Sequence, residues 1–106
     1  MPQEYINRPR MDIMDNPAGG TATGRGFAIV WQDGPLGRGE KRKEPNGAFV
    51  EDIIVVARDR LSFYQDTKFV CVENAQALER LNEALTILQS RTMDRMARGV
   101  EGTHNV

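Results

Sequence analysis

The sequence is poor in the residues that most often carry catalysis, metal binding and disulfide formation. It has one cysteine, Cys71, and one histidine, His104, among its 106 residues. A single cysteine excludes an intramolecular disulfide and a cysteine-rich zinc site. A single histidine, close to the last residue, leaves Ser-His, Cys-His and metal-dependent hydrolysis without their usual groups. We therefore expect a protein that is not an enzyme, that uses no cofactor or metal, and that resides in a reducing cytoplasm.

An excess of one charge and long apolar runs are also missing. Fourteen Lys and Arg residues face fifteen Asp and Glu residues, which gives a net charge of −1. No global basic field therefore draws the chain to a nucleic acid polymer or an anionic membrane, and a bound anion must meet a local cluster of cations. No apolar run approaches the about 18 residues of a membrane span, and no secretory signal pattern is present. We expect a soluble, unexported protein.

The composition that is present suits one small globular domain. Hydrophobic residues make up 40% of the chain and charged residues 27%, as in folded proteins rather than disordered tails. A monomer of this size buries only about 60 to 65% of the surface that its unfolded chain exposes. Because such a core is thin, we expect a homo-oligomer.

The first half of the chain predicts an arm, a strand and a basic loop. Breaker residues interrupt residues 1–23, so we expect an extended N-terminal arm there and one domain over residues 24–106. Residues 25–33 combine apolar side chains with a following Asp-Gly-Pro stop, which is typical of a strand and a turn. Residues 36–47 are rich in Lys and Arg. They predict a solvated loop, the outgoing arm of a hairpin, or an anion-binding flap.

The second half predicts two amphipathic helices. Apolar residues from Phe49 to Tyr64 recur at steps of three and four, which predicts a helix over about 49–65. A second helix is expected over about 73–98, where the clearest periodicity of the chain lies. Its apolar seam comprises Leu78, Leu81, Leu85, Leu88, Thr92 and Met96. The predicted fold class is therefore α+β: a small antiparallel sheet, over about residues 25–48, followed by a long two-helix antiparallel hairpin in an oligomer.

Four residues of the helical half have both a structural and a ligand-binding interpretation. Arg91 and Arg95 are one helical turn apart, so their guanidiniums share a face and suit a pyrophosphate, or else an ion pair between subunits. Tyr64 is either a core aromatic or a platform on which a base stacks. Asn74 is either a helix N-cap or a group that contacts a base or ribose. Cys71, in an apolar connector, is expected to be buried and inert.

Several segments together resemble a known family. They are WQDGPL at 31–36, RLSFYQDTKFVCVENAQAL at 60–78 and LNEALTILQSRTMDRMARGVEGTHNV at 81–106. These segments resemble the phage Thoeris anti-defence sponge family of the first-described type, which shares its helical hairpin with the anti-CBASS cyclic nucleotide sponge. The most specific part of the resemblance lies between Arg91 and His104.

The resemblance implies a function and a site. Members of the family bind glycocyclic ADP-ribose, an immune signal made by a bacterial TIR protein, and hold it without cleaving it. By position, Tyr64 matches an aromatic residue that stacks on adenine. Such stacking uses the ring face and not the Tyr64 hydroxyl. Asn74 matches a ligand-contacting asparagine. Arg91 and Arg95 match the pair that embraces base and pyrophosphate, and Arg38 is a candidate for a further phosphate contact. The resemblance also implies a dimer or hexamer in the cytoplasm of an infected bacterial host.

The chain departs from the family pattern at three positions. Tyr64 replaces the usual Phe, Ile87 stands where many relatives have Trp, and Val72 stands where a charged residue is common; we expect the last two to affect hairpin packing. Three other functions stay open at this point. They are a sponge for CBASS cyclic di- or trinucleotides, an enzyme that hydrolyses the same signal, and a helical protein-interaction module.

Overall fold

The computed structural model describes residues 1–106. Its elements in chain order are β1 (Ile6–Met11), β2 (Pro17–Gly24), β3 (Phe27–Val30), a 3-10 turn (Gly39–Lys41), α1 (Val50–Gln65) and α2 (Val72–Ala97). The α+β class that the sequence predicted is confirmed. The chain forms two compact units, a sheet unit of residues 1–49 with 100–106 and a helical unit of residues 50–99.

The sheet is antiparallel and begins earlier in the chain than the sequence predicted. Its strand order is β1-β2-β3, with Ile6 opposite Thr23 and Thr21 opposite Val30. The expected arm over residues 1–23 is therefore corrected, because residues 6–11 and 17–24 form its first two strands. Their sequences, INRPRM and PAGGTATG, have neither alternation nor many β-branched residues. Pairing with neighbouring strands stabilises them instead of local propensity.

The turn between β1 and β2 is organised by the carboxylate of Asp12. Its Oδ1 accepts hydrogen bonds from the backbone N–H groups of Met14 at 2.8 Å and Asn16 at 3.0 Å. Asp15 takes the left-handed conformation, with φ of 60°, which Asp tolerates better than most residues. The backbone hydrogen bond from Asn16 is the main reason that the pKa of Asp12 lies below its usual range.

The segment after β3 is a loop and not the arm of a hairpin. Only single bridges continue the sheet, between Ala18 and Asp33 and between Trp31 and Ala48. Asn46 fixes the loop, because its Oδ1 accepts from the Asp33 N–H at 2.8 Å and its Nδ2 donates to the Asp33 carbonyl at 2.9 Å. The basic segment itself contains only the short 3-10 turn. The loop interpretation of residues 36–47 therefore holds and the hairpin-arm alternative is wrong.

The helical unit is an antiparallel hairpin whose helix bounds agree with the prediction to within one residue. The half-buried positions of α2 include the four leucines of the seam and Thr92, so this stripe faces α1, whereas Met96, the last residue of the predicted seam, is 58% exposed. At the end of α2, Gly99 has φ of 75°, and its N–H donates to the Met96 carbonyl at 3.1 Å. A glycine in this conformation is a common helix stop.

The connector between the helices is fixed by hydrogen bonds around Gln65. The Gln65 side chain donates to the Cys71 carbonyl and accepts from the Cys71 N–H, both at 3.1 Å. Thr67 closes the end of α1 by donating its hydroxyl to the Tyr64 carbonyl at 2.6 Å. Cys71 is exposed, which corrects the expectation that it is buried. The connector is too short to cover it.

The chain has very little interior of its own. Ala22 is its only buried hydrophobic residue, and neither helix contains a buried residue. The exposed surface is 8500 Å². A compact folded monomer of 11.9 kDa exposes only about 5,900 Å². Many large hydrophobic side chains are thus exposed to solvent in the single chain.

Candidate functional site

Tyr64 lies near the end of α1, at the closed end of the hairpin, and its side chain is accessible. The residue is 36% exposed, so one chain does not bury its ring in a core. Its hydroxyl accepts a hydrogen bond from Arg60 Nε at 3.2 Å. The Phe63 ring lies beside it, with ring centroids 6.0 Å apart and planes tilted by 50°. The single chain therefore does not place Tyr64 in a core, and the stacking interpretation stays a prediction.

Arg60 belongs to the same cluster and was not predicted as a site residue. Its guanidinium carbon lies 5.0 Å from the centroid of Phe63 and 5.0 Å from that of Tyr64, within the about 6 Å range of a cation–π contact. None of the ion pairs of the chain involves Arg60. The sequence signal was the spacing of Arg60, Phe63 and Tyr64, since residues three and four apart are neighbours on a helix.

Asn74 lies in the first turn of α2, at the same end of the hairpin as Tyr64. The N-cap of α2 is Cys71 and no side chain caps this helix, so the N-cap interpretation of Asn74 is wrong. Instead, Asn74 Nδ2 donates to the carbonyl of Phe69 in the connector at 3.4 Å. This bond is long, and it uses the amide nitrogen of Asn74 and not the amide oxygen.

Arg91 and Arg95 occupy the last two turns of α2, at the open end of the hairpin. Arg91 is exposed and takes part in none of the ion pairs, whereas Arg95 is half-buried. The nearest carboxylate in sequence, Asp94, is paired with Arg98 at 2.9 Å. The charge of Arg91 is therefore not neutralised by Asp94, and this helix end carries net positive charge.

One chain does not bring the two ends of the hairpin together. Asn74 and Arg91 are seventeen residues apart on α2, which at about 1.5 Å per residue separates them by roughly 25 Å along the axis. A ligand bonded at about 3 Å to each group cannot span that distance if it has the size of one nucleotide. The predicted site residues therefore lie in two separate groups on the hairpin, one with Tyr64 and Asn74 and one with Arg91 and Arg95.

Arg38 belongs to the sheet unit, where it holds the last residues of the chain. Its Nη1 donates to the Glu101 carbonyl at 2.9 Å. Arg42 pairs with the Glu101 carboxylate at 2.7 Å, and this hydrogen bond is the main reason that the pKa of Arg42 is raised. Two of the basic residues of the loop are thus engaged within the chain, which weakens the anion-flap interpretation.

The two residues of α2 that depart from the family pattern have exposed side chains. Ile87 and Val72 are each 68% exposed. Neither side chain packs inside the hairpin, which corrects the expected packing role. Ile87 lies one turn before Arg91, so both face the same side of the helix. Ile87 therefore leaves an apolar side chain exposed to solvent one turn from Arg91.

Two concave surfaces lie outside the predicted residues. A cavity of about 490 Å³ on the sheet unit is lined by side chains that include Arg8, Arg10 and Trp31. An open groove runs along α2 from Glu79 to Ile87.

No group of three or more His, Cys, Asp or Glu side chains is placed to hold a metal ion. No helix combines the length and apolarity that crossing a membrane requires.

Comparison with known proteins adds one relative. No family model matches the chain. The chain is 49% identical over 59 residues to Thoeris anti-defense 1 of Bacillus phage SBSphiJ7. The match covers 56% of this chain and 42% of that protein, so it spans about two-fifths of the relative's length. The resemblance of this chain to the Thoeris anti-defence family is confirmed.

Proposed function

We propose that this chain is a phage anti-defence protein that binds and sequesters glycocyclic ADP-ribose without cleaving it, and so withholds the signal from a Thoeris effector. The name of the relative supports the anti-defence role. The observation that carries the ligand class is the pairing of an accessible aromatic, Tyr64, with the arginine pair Arg91 and Arg95 on one helical hairpin.

The chemistry of the ligand matches these two groups of residues. An ADP-ribose ring contains an adenine base and a pyrophosphate. Base stacking on an aromatic contributes about 1 to 3 kcal/mol and needs only an accessible ring face. Two guanidiniums on one helix face donate charge-assisted hydrogen bonds to phosphate oxygens. The amide of Asn74 adds a group that both donates to and accepts from a base edge or ribose hydroxyl.

A complete site in this proposal needs a second copy of the chain. Because the two groups lie at opposite ends of α2, two antiparallel copies bring unlike ends together. A twofold axis that crosses α2 near Ala84 places Asn74 of one copy opposite the turn of Arg91 and Arg95 in the other. Two equivalent sites then form, one on each side of the axis.

The exposed surface supports such an assembly. The chain exposes 8500 Å², roughly 2,500 Å² more than a compact monomer of this mass. A stable interface between two proteins buries about 1,200 to 2,000 Å² in total. The excess is therefore large enough for a dimer, with further surface for a higher oligomer such as a hexamer.

Sequestration differs from hydrolysis in what the residues must do. Cleaving a pyrophosphate needs a group that activates water and has a pKa suited to proton transfer. Holding the ligand needs only complementary donors, stacking and a slow release. Asp94, the carboxylate nearest in sequence to the arginine pair, accepts a hydrogen bond from Arg98 at 2.9 Å. We therefore favour binding without turnover, in the cytoplasm of the infected host.

The test is calorimetric titration of the purified chain with glycocyclic ADP-ribose, followed by heat denaturation and chromatography of the released ligand. We expect saturable binding and full recovery of the intact molecule. Recovery of a cleaved product would show an enzyme. Binding of cyclic di- or trinucleotides in its place would show a CBASS-type sponge, and no affinity for any of these nucleotides would leave a protein-interaction module. Linear ADP-ribose is the matched control ligand.

A further inference from the structure

We propose that Arg60 is a positioning residue of the ligand site, which sets the orientation of the Tyr64 ring on which the base stacks. This inference rests on the proposed function. Stacking of a base on the ring face does not use the Tyr64 hydroxyl. In the structure this hydroxyl accepts a hydrogen bond from Arg60 Nε at 3.2 Å.

The geometry of the cluster gives Arg60 two contacts with one ring. Besides the hydrogen bond, its guanidinium lies 5.0 Å from the Tyr64 centroid and 5.0 Å from that of Phe63. A hydrogen bond at the rim and a cation–π contact together restrict rotation of an exposed ring. The ring of Phe63 lies beside that of Tyr64, with a centroid distance of 6.0 Å and planes tilted by 50°. The ring is thus held before a ligand arrives.

Holding an exposed ring in advance strengthens binding. A free aromatic side chain loses rotamer freedom when a base stacks on it, and ordering of such a side chain costs affinity. Arg60 has no carboxylate partner that would compete for its guanidinium. By comparison, Arg58 on the same helix bonds to Asp59 at 3.3 Å. Arg60 is therefore available to the aromatic cluster, and Arg58 provides a matched control.

The inference assigns a role to tyrosine at position 64 in place of phenylalanine. A phenylalanine keeps the stacking face but gives Arg60 Nε no acceptor. Tyr64→Phe should therefore weaken binding of glycocyclic ADP-ribose by about three- to tenfold, the effect of one ordinary hydrogen bond. Arg60→Ala should weaken it by at least as much, because the cation–π contact is lost as well. Arg60→Lys, which keeps a cation near the rings, should recover part of the affinity.

The deciding experiment is a double-mutant cycle measured by calorimetry on the full chain. If Arg60 acts through the Tyr64 hydroxyl, Arg60→Ala combined with Tyr64→Phe binds no more weakly than Arg60→Ala alone. If the two losses multiply, or if Arg60→Ala binds like the wild type, the positioning role is overturned. Arg58→Ala should leave the affinity unchanged.

A ligand-free measurement separates this inference from the proposed function. The ring resonances of Tyr64, assigned by their loss in Tyr64→Phe, should shift in Arg60→Ala and stay in place in Arg58→Ala. Unshifted resonances in Arg60→Ala would overturn the inference even if the ligand binds. A wild-type chain that shows no affinity for glycocyclic ADP-ribose would overturn the proposed function, and the role of Arg60 in the ligand site with it.

Discussion

Arg42 and Glu101 form a two-pronged ion pair that ties the last residues of the chain to the basic loop, with Nη1 to Oε2 at 2.7 Å and Nη2 to Oε1 at 3.0 Å. Beside it, the Gly37 N–H donates to the Gly102 carbonyl at 2.9 Å. We predict that Glu101→Gln, which keeps the shape but removes the charge, speeds hydrogen exchange at the Gly37 amide.

Salt at about 1 M should have a similar but weaker effect on this ion pair. The Debye length is then about 3 Å, so the attraction between the two partly exposed charges is screened. Glu40→Gln, in the same loop, is the control and should leave the Gly37 amide protected. Equal exchange in the wild type and in Glu101→Gln would show that the backbone alone holds the two segments.

The turn at Asp12 predicts a loss of stability in acid. The hydrogen bonds from Asn16 and Met14 place the pKa of Asp12 below its usual range in the folded chain. A group with a depressed folded pKa contributes stability above its unfolded pKa of about 3.9, and the contribution is lost as the pH falls through the folded value. Asp12→Asn should therefore destabilise the sheet unit at pH 7 and show a smaller further loss between about pH 5 and pH 2 than the wild type. Urea titrations at each pH measure the difference, and parallel pH profiles would contradict it.

Arg91 and Arg95 should each be necessary for ligand binding. Replacing either with Ala removes charge-assisted hydrogen bonds worth about 1.5 to 3 kcal/mol, or about 10- to 150-fold in Kd. Calorimetric titration with glycocyclic ADP-ribose measures the loss, and the helical circular dichroism should not change. Arg80→Ala is the matched control, since Arg80 lies on the same helix and is paired with Glu83. Wild-type affinity in either variant would remove that arginine from the site.

Ile87 should link assembly to ligand binding. A charge at this exposed position disfavours burial against a second copy, so Ile87→Glu should reduce the oligomer mass in light scattering and the ligand affinity together. Gln89→Glu, on the exposed surface of the same helix, should do neither. A wild-type chain that is monomeric at micromolar concentration would contradict the composite site.

Tyr64 should matter for binding much more than for folding. Tyr64→Ala removes the stacking face and should weaken binding by about 5- to 150-fold, from about 1 to 3 kcal/mol of stacking. Truncating a core aromatic costs about 3 to 5 kcal/mol of folding stability. Because Tyr64 is 36% exposed, its truncation should cost much less, and the Tm of the free protein should fall correspondingly little. Both values must be measured at one protein concentration. Tyr5→Ala, in the sheet unit, is the control and should keep full affinity. Full affinity in Tyr64→Ala would contradict the stacking role.

The helices were predictable because their apolar residues repeat with the period of a helix. The leucine spacing from Leu78 to Leu88 and the stop at Gly99 gave bounds that the structure moves by one residue. The first two strands were not predictable in this way. Their sequences contain Pro9 within β1 and a Gly19-Gly20 pair within β2, residues that local propensity places in turns. Only pairing with the neighbouring strand makes each of them a strand.

The candidate site was likewise predictable only in part. The spacing of Arg91 and Arg95 follows from the helix, so the sequence placed them on one face. The involvement of Arg60 depends on rotamers that bring its guanidinium to Phe63 and Tyr64, and periodicity carries no information about rotamers. The expected use of Asn74 as a cap failed because α2 begins two residues before it. The proposed completion of the site by a second copy depends on a surface that the single chain does not define.

The near absence of buried residues has a calorimetric consequence. Unfolding raises the heat capacity in proportion to the apolar surface that it exposes, on average by about 12 to 15 cal/mol/K per residue in globular proteins. A chain in which Ala22 is the one buried hydrophobic residue has less such surface to release by itself than a compact domain of the same size. A heat capacity increment at or above the ordinary value would therefore include a contribution from surface hidden between copies, and the excess over the single-chain value would measure that hidden area.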